Sequence, residues 1–178
     1  MYDKIVTSLR FVLAPVFVFL ACAQVSADEI FTFASIDGGD LSLEEHEGPV
    51  LVVNTASLCG FTPQYEGLQN LHETFSEEGL MVVAVPSDDF RQELDDESAV
   101  KEFCEITYGL TLPMTEITPV TGDGAHTFYQ WVRQQTGWEP RWNFNKVLVA
   151  DGKVVGTYGA RVKPESPKLR RAIAAALD

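Results

Sequence analysis

Apolar and polar positions along the chain predict strands and helices that follow one another. The continuous apolar runs 49–54 and 80–85 have the length and composition of strands buried on both faces of a sheet. Between them, apolar residues recur at helical spacing over 63–77, on a stripe that contains Tyr65, Leu68, Leu71 and Phe75. This segment is therefore predicted to be an amphipathic helix.

The rest of the chain completes an alternating order with a hairpin near each end. The predicted strands are 30–34, 41–43, 49–54, 80–85, 112–117, 146–150 and 154–158, and the predicted helices are 63–77, 97–107, 125–135 and 164–177. The turns at 37–40 and 151–152 separate the paired strands of the two hairpins. Strands joined by helices of this length imply right-handed crossovers and a parallel core with an antiparallel edge. The pattern predicts an α/β domain, and several α/β folds satisfy it.

The first residues of the chain differ from the rest. Lys4 and Arg10 give a basic start, the run 11–20 is almost wholly apolar, and 25–27 fits a small-x-small cleavage site. This predicts a cleavable signal peptide over 1–27 and export, with a bacterial periplasm as the compartment. The apolar run is shorter than the roughly 20 residues of a membrane span, so no stable membrane insertion is expected after cleavage. An uncleaved signal anchor and a lipoprotein modified at Cys22 are the alternatives.

Residues 28–178 are then expected to form a single domain. The formal net charge is −13, and so acidic a chain lacks the Lys and Arg clusters that nucleic-acid binding needs. His46, His72 and His126 have no metal-ligand spacing to any acidic or cysteine partner, so no metal is predicted. No glycine-rich phosphate loop is present, so no nucleotide cofactor is expected either.

Cys59 lies between a predicted buried strand and a predicted helix. Thr62 is a favourable N-cap residue, and Pro63 is suited to the first helical position. Cys59 would therefore sit just before a helix N-terminus, where free N–H groups and the helix dipole favour an anion. This placement predicts a reactive thiolate, the form of cysteine that attacks a peroxide oxygen, in preference to a structural cysteine.

The segment around Cys59 also resembles a known family. Residues 53–62 closely resemble the nucleophile segment of glutathione peroxidases, and the similarity returns at 65–68, 85–90, 102–104, 108–109 and 142–144 in the same order and spacing. The resemblance implies a thioredoxin-like fold with a central mixed sheet flanked by helices. It also implies a peroxidase that reduces hydrogen peroxide or organic hydroperoxides with electrons from a thiol, in response to oxidative stress.

Glutathione peroxidases use a tetrad of Cys (or selenocysteine), Gln, Trp and Asn, and three members are present. The resemblance implies that Cys59 is the nucleophile, and that the indole N–H of Trp142 and the amide of Asn143 stabilise the thiolate and position the peroxide. Asp89 stands at the usual Gln position, where an ionised carboxylate would repel the thiolate. Three explanations remain open: Asp89 is neutral, Asp89 points away, or Gln92 supplies the amide.

Cys104 stands where cysteine-containing members of this family commonly carry a resolving cysteine. The resemblance implies that Cys104 attacks the sulfenic acid of Cys59, which gives a disulfide and water. Such a disulfide suits a dithiol protein such as thioredoxin better than glutathione as the reductant. A permanent structural disulfide is the alternative. If the reduced fold holds the two cysteines beyond about 7 Å between Cα atoms, the helix that carries Cys104 must unwind locally.

Two other functions use the same residues. A peroxide sensor would react once without turnover. A thiol–disulfide oxidoreductase of the same fold normally has Cys-x-x-Cys, whereas Thr62 stands at the fourth position here. The short segment 136–141 before Trp142 favours a monomer, because tetrameric members of the resembled family have a longer segment at this place.

Overall fold

The computed structural model describes residues 31–178. The predicted signal peptide over 1–27 and the first residue of the predicted opening strand lie outside these residues. In chain order the elements are β1 (Thr32–Ala34), β2 (Asp40–Ser42), β3 (Val50–Thr55), α1 (Gln64–Phe75), β4 (Met81–Pro86), α2 (Glu97–Tyr108), α3 (Thr127–Thr136), β5 (Lys146–Ala150), β6 (Lys153–Tyr158) and α4 (Pro167–Leu177).

The central sheet is mixed. Within residues 31–178, its four strands have the order β4-β3-β5-β6, and β1 pairs with β2 in a separate antiparallel hairpin. β3 and β4 are parallel, whereas β5 is antiparallel to both β3 and β6. The order of helices and strands predicts a parallel core, and within the described sheet only β3 and β4 pair in parallel. The reason is that β5 runs antiparallel beside β3.

The strand predicted over 112–117 does not form. In its place, two isolated bridges join Met114 to Ala84 of β4 and Thr115 to Ser35 after β1. Pro113 has no N–H to give to a ladder, and its carbonyl oxygen accepts a hydrogen bond from the Ala84 N–H at 3.0 Å. The segment therefore connects the hairpin to the edge of the sheet without being a regular strand.

The helices begin where local capping allows. α2 follows Asp96, whose carboxylate accepts a hydrogen bond from the Ala99 N–H at 2.9 Å, and ends at Gly109 with φ of 60°. α4 begins at Pro167, later than the predicted residue 164, because Ser166 caps it. The predicted N-cap role of Thr62 is wrong: α1 begins at Gln64 and has no side-chain cap.

Two apolar cores cover the two faces of the sheet. All six residues of β3 are buried, as its continuous apolar run predicts, and the first four, Val50 to Val53, alternate between the cores. One core contains Leu51 and Val53 with the inward faces of α1, α2 and α4, together with Cys59 and Cys104. The other contains the β1–β2 hairpin and α3. In this part of the chain no helix has the length and apolar character of a membrane span.

Candidate active site

Cys59 lies in a turn that connects β3 to α1, and Thr62 fixes this turn. The Thr62 hydroxyl oxygen accepts a hydrogen bond from the Cys59 N–H at 3.1 Å. The same hydroxyl donates to the carbonyl oxygen of Ala56, at 2.8 Å, or of Cys59, at 2.6 Å. The side chain that the sequence assigns to capping α1 thus holds the loop around the cysteine.

The sulfur of Cys59 lies just below the surface. The residue is 7% exposed, and its Sγ accepts a hydrogen bond from the Phe61 N–H at 3.4 Å. The donor belongs to the turn before α1, which begins at Gln64. Leu58 is 61% exposed, and a Cβ at Gly60 would meet nothing within 4 Å. The loop therefore leaves open space at Gly60, the residue after the cysteine.

Asn54, at the end of β3, holds the segment that contains Trp142 and Asn143. Its side-chain amide donates to the Trp142 carbonyl oxygen at 3.0 Å, and its Oδ1 accepts from the Asn145 N–H at 3.1 Å. The backbone N–H of Phe144, with φ of 60°, donates to the Asn54 carbonyl oxygen at 2.6 Å. Sequence reasoning assigned Asn54 no role, although a polar residue in an apolar run was a usable signal.

Trp142 and Asn143 lie near the Cys59 loop without bonding to its sulfur. Trp142 is 42% exposed and packs on Phe90, with ring centroids 5.6 Å apart. Asn143 is fully buried; its Nδ2 donates to Gln92 Oε1 at 3.1 Å, and its Oδ1 has no partner. Among the described residues, the Phe61 N–H is the donor to Cys59 Sγ, and neither predicted donor replaces it.

The carboxylate of Asp89 is bonded to the segment 120–121. Its Oδ2 accepts hydrogen bonds from the N–H of Val120 at 2.7 Å, the N–H of Thr121 at 2.8 Å and the Thr121 hydroxyl at 2.9 Å. Gln92 lies closer to the site, because its backbone carbonyl accepts from the Leu58 N–H at 2.8 Å and its side chain contacts Asn143. The Asp89 carboxylate is thus engaged by Val120 and Thr121, whereas Gln92 contacts both the Cys59 loop and Asn143.

Glu93 is a buried acid beneath the Cys59 loop that sequence reasoning missed. It is 6% exposed, and its Oε1 accepts hydrogen bonds from the N–H groups of Ser57 and Leu94, both at 2.9 Å. Burial raises the pKa of this carboxyl. Little in the sequence signals this burial, because Glu93 stands among acidic and polar residues typical of a surface loop.

Cys104 is a free thiol on the inner face of α2. It is 1% exposed and belongs to the same core as Cys59, which is also free. Burial raises the pKa of the Cys104 thiol to about 11; the nearby Tyr65 hydroxyl lowers this pKa, and the Glu93 carboxylate raises it further. The reduced protein thus holds both predicted redox cysteines as buried thiols.

A wide groove opens beside the site. It has a volume of about 1010 Å³, and its lining includes Phe61, Trp138, Arg141, Trp142 and Arg161. The groove reaches Phe61 and Trp142, and Cys59 is not among its lining residues. No cluster of His, Cys, Asp and Glu within residues 31–178 has the arrangement of a metal site.

Lys146, at the start of β5, is another buried titratable group, and it contacts the segment that contains Trp142 and Asn143 through Phe144. Its Nζ donates to the Phe144 carbonyl oxygen at 2.8 Å and to Gln64 Oε1 at 2.5 Å. Burial lowers the pKa of Lys146 to about 7. Its two acceptors, the Gln64 amide and the Phe144 carbonyl, carry no charge, so burial is what lowers the pKa of Lys146.

Comparisons with known proteins agree on one family. The model of the glutathione peroxidase family matches residues 29–133. The chain is 36% identical over 142 residues to a glutathione peroxidase of Lactococcus lactis, covering 76% of this chain and 90% of the relative. It is 40% identical over 148 residues to a hydroperoxy fatty acid reductase of Synechocystis, covering 76% of this chain and 88% of the relative.

A solved structure gives the same result for the fold. The crystal structure of Trgpx in its apo form superposes with a TM-score of 0.66 at 28% sequence identity, and covers 86% of this chain and 97% of its own. The crystal structure of a thioredoxin family thiol:disulfide interchange protein from Chlorobium tepidum superposes with a TM-score of 0.62 at 18% identity, and covers 89% of this chain and 100% of its own. The mixed sheet flanked by helices is therefore a thioredoxin-like fold, as the resemblance implied.

Proposed function

Because this chain belongs to the glutathione peroxidase family and is a thiol peroxidase, we propose that peroxide oxidises Cys59 and that Cys104 resolves the product. One observation carries the proposal. The Cys59 sulfur lies 7% exposed in a turn fixed by Thr62, and it accepts the Phe61 N–H beside open space at Gly60. A sulfur in this position has a donor that favours the thiolate and a path for a small oxidant.

The reaction has two chemical steps before reduction. The Cys59 thiolate attacks one peroxide oxygen, the O–O bond breaks, and the products are a sulfenic acid and water or an alcohol. Cys104 then bonds to the Cys59 sulfur and releases water. A thiol reductant returns both cysteines to thiols. We expect a dithiol protein of the thioredoxin type to serve better than glutathione, since the product is an intramolecular disulfide.

Gln92 and Asn143 form an amide pair behind the nucleophile. In this proposal Gln92 takes the place that Asp89 has in the sequence register, and Asp89 serves to fix the 120–121 loop. The amides and the Trp142 indole would turn toward the sulfur or the peroxide once substrate is bound, since such contacts often tighten only in the reacting complex. Asn143 Oδ1 is buried without a partner, which is consistent with an amide that has a second position.

Export and a monomeric state complete the proposal. The basic start, the apolar run 11–20 and the small residues at 25–27 support a signal peptide over 1–27 and a periplasmic enzyme. Expression of the full chain, cell fractionation and N-terminal sequencing test this, and a cytoplasmic chain that retains Met1 contradicts it. Light scattering tests the monomer.

Turnover with alternative reductants tests the enzymatic mechanism. We expect the purified protein to consume peroxide with a thioredoxin system, to do so more slowly with glutathione, and to lose thioredoxin-driven turnover in C59S and in C104S. Turnover that persists in C104S would remove the resolving role of Cys104. One round of Cys59 oxidation without turnover under either reductant would favour the sensor instead.

A further inference from the structure

Lys146 is a fully buried lysine that bonds to both segments of the candidate active site. It is 0% exposed, although lysine is among the residue types least often buried without a charged partner. Its two acceptors, Gln64 Oε1 at 2.5 Å and the Phe144 carbonyl oxygen at 2.8 Å, are neutral. Burying an ammonium group costs free energy, and an apolar side chain would fill this place at lower cost. The lysine therefore indicates a need for its N–H groups.

Phe144 has a strained backbone conformation that Lys146 helps to fix. Its φ is 60°, in the left-handed region that bulky side chains rarely adopt. The Phe144 N–H donates to the Asn54 carbonyl oxygen at 2.6 Å, and the Phe144 carbonyl oxygen accepts from Lys146 Nζ. Both backbone groups of this residue are thus held in place. Such a conformation persists only where the surroundings enforce it, and it often marks a functional site. Here it directly follows Asn143.

Gln64 connects Lys146 to the Cys59 loop. The side-chain oxygen of Gln64 accepts from Lys146, and its backbone N–H donates to the Phe61 carbonyl oxygen at 2.9 Å. The Phe61 N–H in turn donates to Cys59 Sγ at 3.4 Å. A continuous series of hydrogen bonds and short stretches of chain therefore runs from the sulfur through Gln64 and Lys146 to Phe144.

Two further contacts fix the start of α1 against this segment. The Phe144 ring packs edge-to-face on the Tyr65 ring, with centroids 5.3 Å apart and an interplanar angle of 80°. The Gln64 Nε2 donates to the Ala160 carbonyl oxygen at 2.7 Å, so its Oε1 is the amide atom that faces Lys146. The amide of Gln64 is thus oriented at both ends.

We propose that Lys146 is a positioning residue of the peroxidase reaction, which sets the distance between the Cys59 sulfur and the segment 142–143. It does so through its bonds to Gln64 and Phe144. This inference rests on the proposed function, in which the indole and the amide of that segment act on the peroxide. Lys146 itself touches neither the peroxide nor the sulfur. A protonated lysine has three N–H groups and a neutral one has two, so both acceptors keep a donor in either form.

Loss of Lys146 should leave the thiolate in place and misplace the groups that act on the peroxide. The turn that contains Cys59 has its own bonds through the Thr62 hydroxyl, and none of them involves Lys146. The Phe144 carbonyl oxygen would lose the Lys146 donor, and the adjacent Asn143 would lose its fixed direction. A misplacement of about 1 Å can cost roughly 100-fold in rate. We therefore expect only the peroxide reaction to slow.

Two reagents on the purified protein separate positioning from thiolate formation. In a C104S background, stopped-flow kinetics measures oxidation of Cys59 by hydrogen peroxide. Mass spectrometry of the Cys59 peptide measures its alkylation by iodoacetamide at the same pH, a reaction that needs only the thiolate. In K146M we expect oxidation to be at least tenfold slower and alkylation to be within twofold of the parent protein. K153M, which removes an exposed lysine at the start of β6, should match the parent in both rates.

Variants at Gln64 test the same link from its other end. Q64L removes the acceptor for Lys146, and we expect peroxide oxidation to be at least fivefold slower. Q64E keeps an acceptor there and should stay within threefold of the parent. Both variants lose the bond to the Ala160 carbonyl, so their difference reports the acceptor alone. Because K146M and Q64L break one link, the double variant should be at most twofold slower than K146M, and additive losses would contradict the link.

The remaining outcomes separate this inference from the proposed function. Parental oxidation rates in K146M would overturn the positioning role and leave the peroxidase mechanism standing. Equal slowing of oxidation and alkylation would also overturn it, because the thiolate itself would then be disturbed. If K146M does not fold, as thermal unfolding would reveal, the pair Q64L and Q64E carries the same test. A parent protein whose Cys59 does not react with peroxide would contradict the proposed function, and this inference with it.

Discussion

At the scale of single residues, the place of Cys59 between a strand and a helix was readable from the sequence, and the contacts of its neighbours were not. Cys59 stands out because it separates a buried strand from a helix, which is local information. The orientation of Asp89 depends on N–H groups at Val120 and Thr121, far along the chain. The position of Glu93 likewise depends on the N–H group of Ser57, which lies 36 residues earlier. No local pattern encodes such long-range contacts.

We expect Asp89 to contribute to stability and Gln92 to contribute to the rate of Cys59 oxidation. In D89A the 120–121 loop loses its acceptor, and we expect a loss of about 1 kcal/mol in the free energy of unfolding with a peroxidase rate within threefold of wild type. In Q92A, Asn143 loses its partner, and we expect at least a tenfold lower rate of Cys59 oxidation. Denaturant unfolding and stopped-flow kinetics measure both variants. If D89A lowered the rate of Cys59 oxidation more than Q92A does, Asp89 and not Gln92 would be the residue that acts in the reaction.

Lys146 should make stability depend on pH. Its pKa is about 7 in the folded state and near 10.4 in the unfolded chain, so the unfolded state binds more protons between these values. Stability should therefore rise with pH above 7, by up to roughly 1.4 kcal/mol per pH unit, whereas below pH 7 the full cost of burying the charge remains.

The matched variants are K146M and K153M, because Lys153 is exposed at the start of β6. Between pH 6 and 8.5, K146M should lose the rise in unfolding free energy and K153M should keep it. Denaturant titrations across this range measure the slope. The same slope in wild type and K146M would mean that Lys146 stays charged in the folded protein.

At the scale of elements, the spacing of apolar residues predicted a helix or strand correctly where that spacing reflects the face that the segment packs against the core. The helices predicted over 63–77 and 97–107 are α1 and α2, and the strand predicted over 146–150 is β5. The prediction of a strand over 112–117 was wrong, because an apolar run does not reveal whether a neighbouring strand has free N–H and C=O groups to pair with it. Pro113 interrupts the ladder, so the segment forms bridges only.

α2 should be the element that opens during catalysis. Of its twelve residues only Val100 and Cys104 are buried, whereas α1 buries six, so opening α2 exposes less apolar surface. Hydrogen exchange should therefore be faster in α2 of the disulfide form than in the reduced form, with α1 and β3 unchanged. C104S treated with peroxide is the control and should keep its α2 protection. Equal α2 exchange in both redox forms would contradict local unwinding.

At the scale of the whole molecule, the fold places Cys59 and Cys104 in one core on one face of the sheet. Cys59 follows the central strand β3, and Cys104 is on a helix that packs over the same face. The element order predicted an α/β domain, and the resemblance selected the thioredoxin-like fold. Periodicity alone could not place β5 antiparallel beside β3, because strand order depends on packing between distant segments.

The central claim is that Cys59 receives the peroxide oxygen and Cys104 removes it, and intact and peptide mass spectrometry after one equivalent of hydrogen peroxide tests this most directly. The account predicts a Cys59–Cys104 disulfide in wild type, a dimedone adduct on Cys59 in C104S, and no peroxide-dependent change at Cys104 in C59S. Oxidation of Cys104 in C59S at the wild-type rate, or a Cys59 thiol that survives peroxide in wild type, would contradict it.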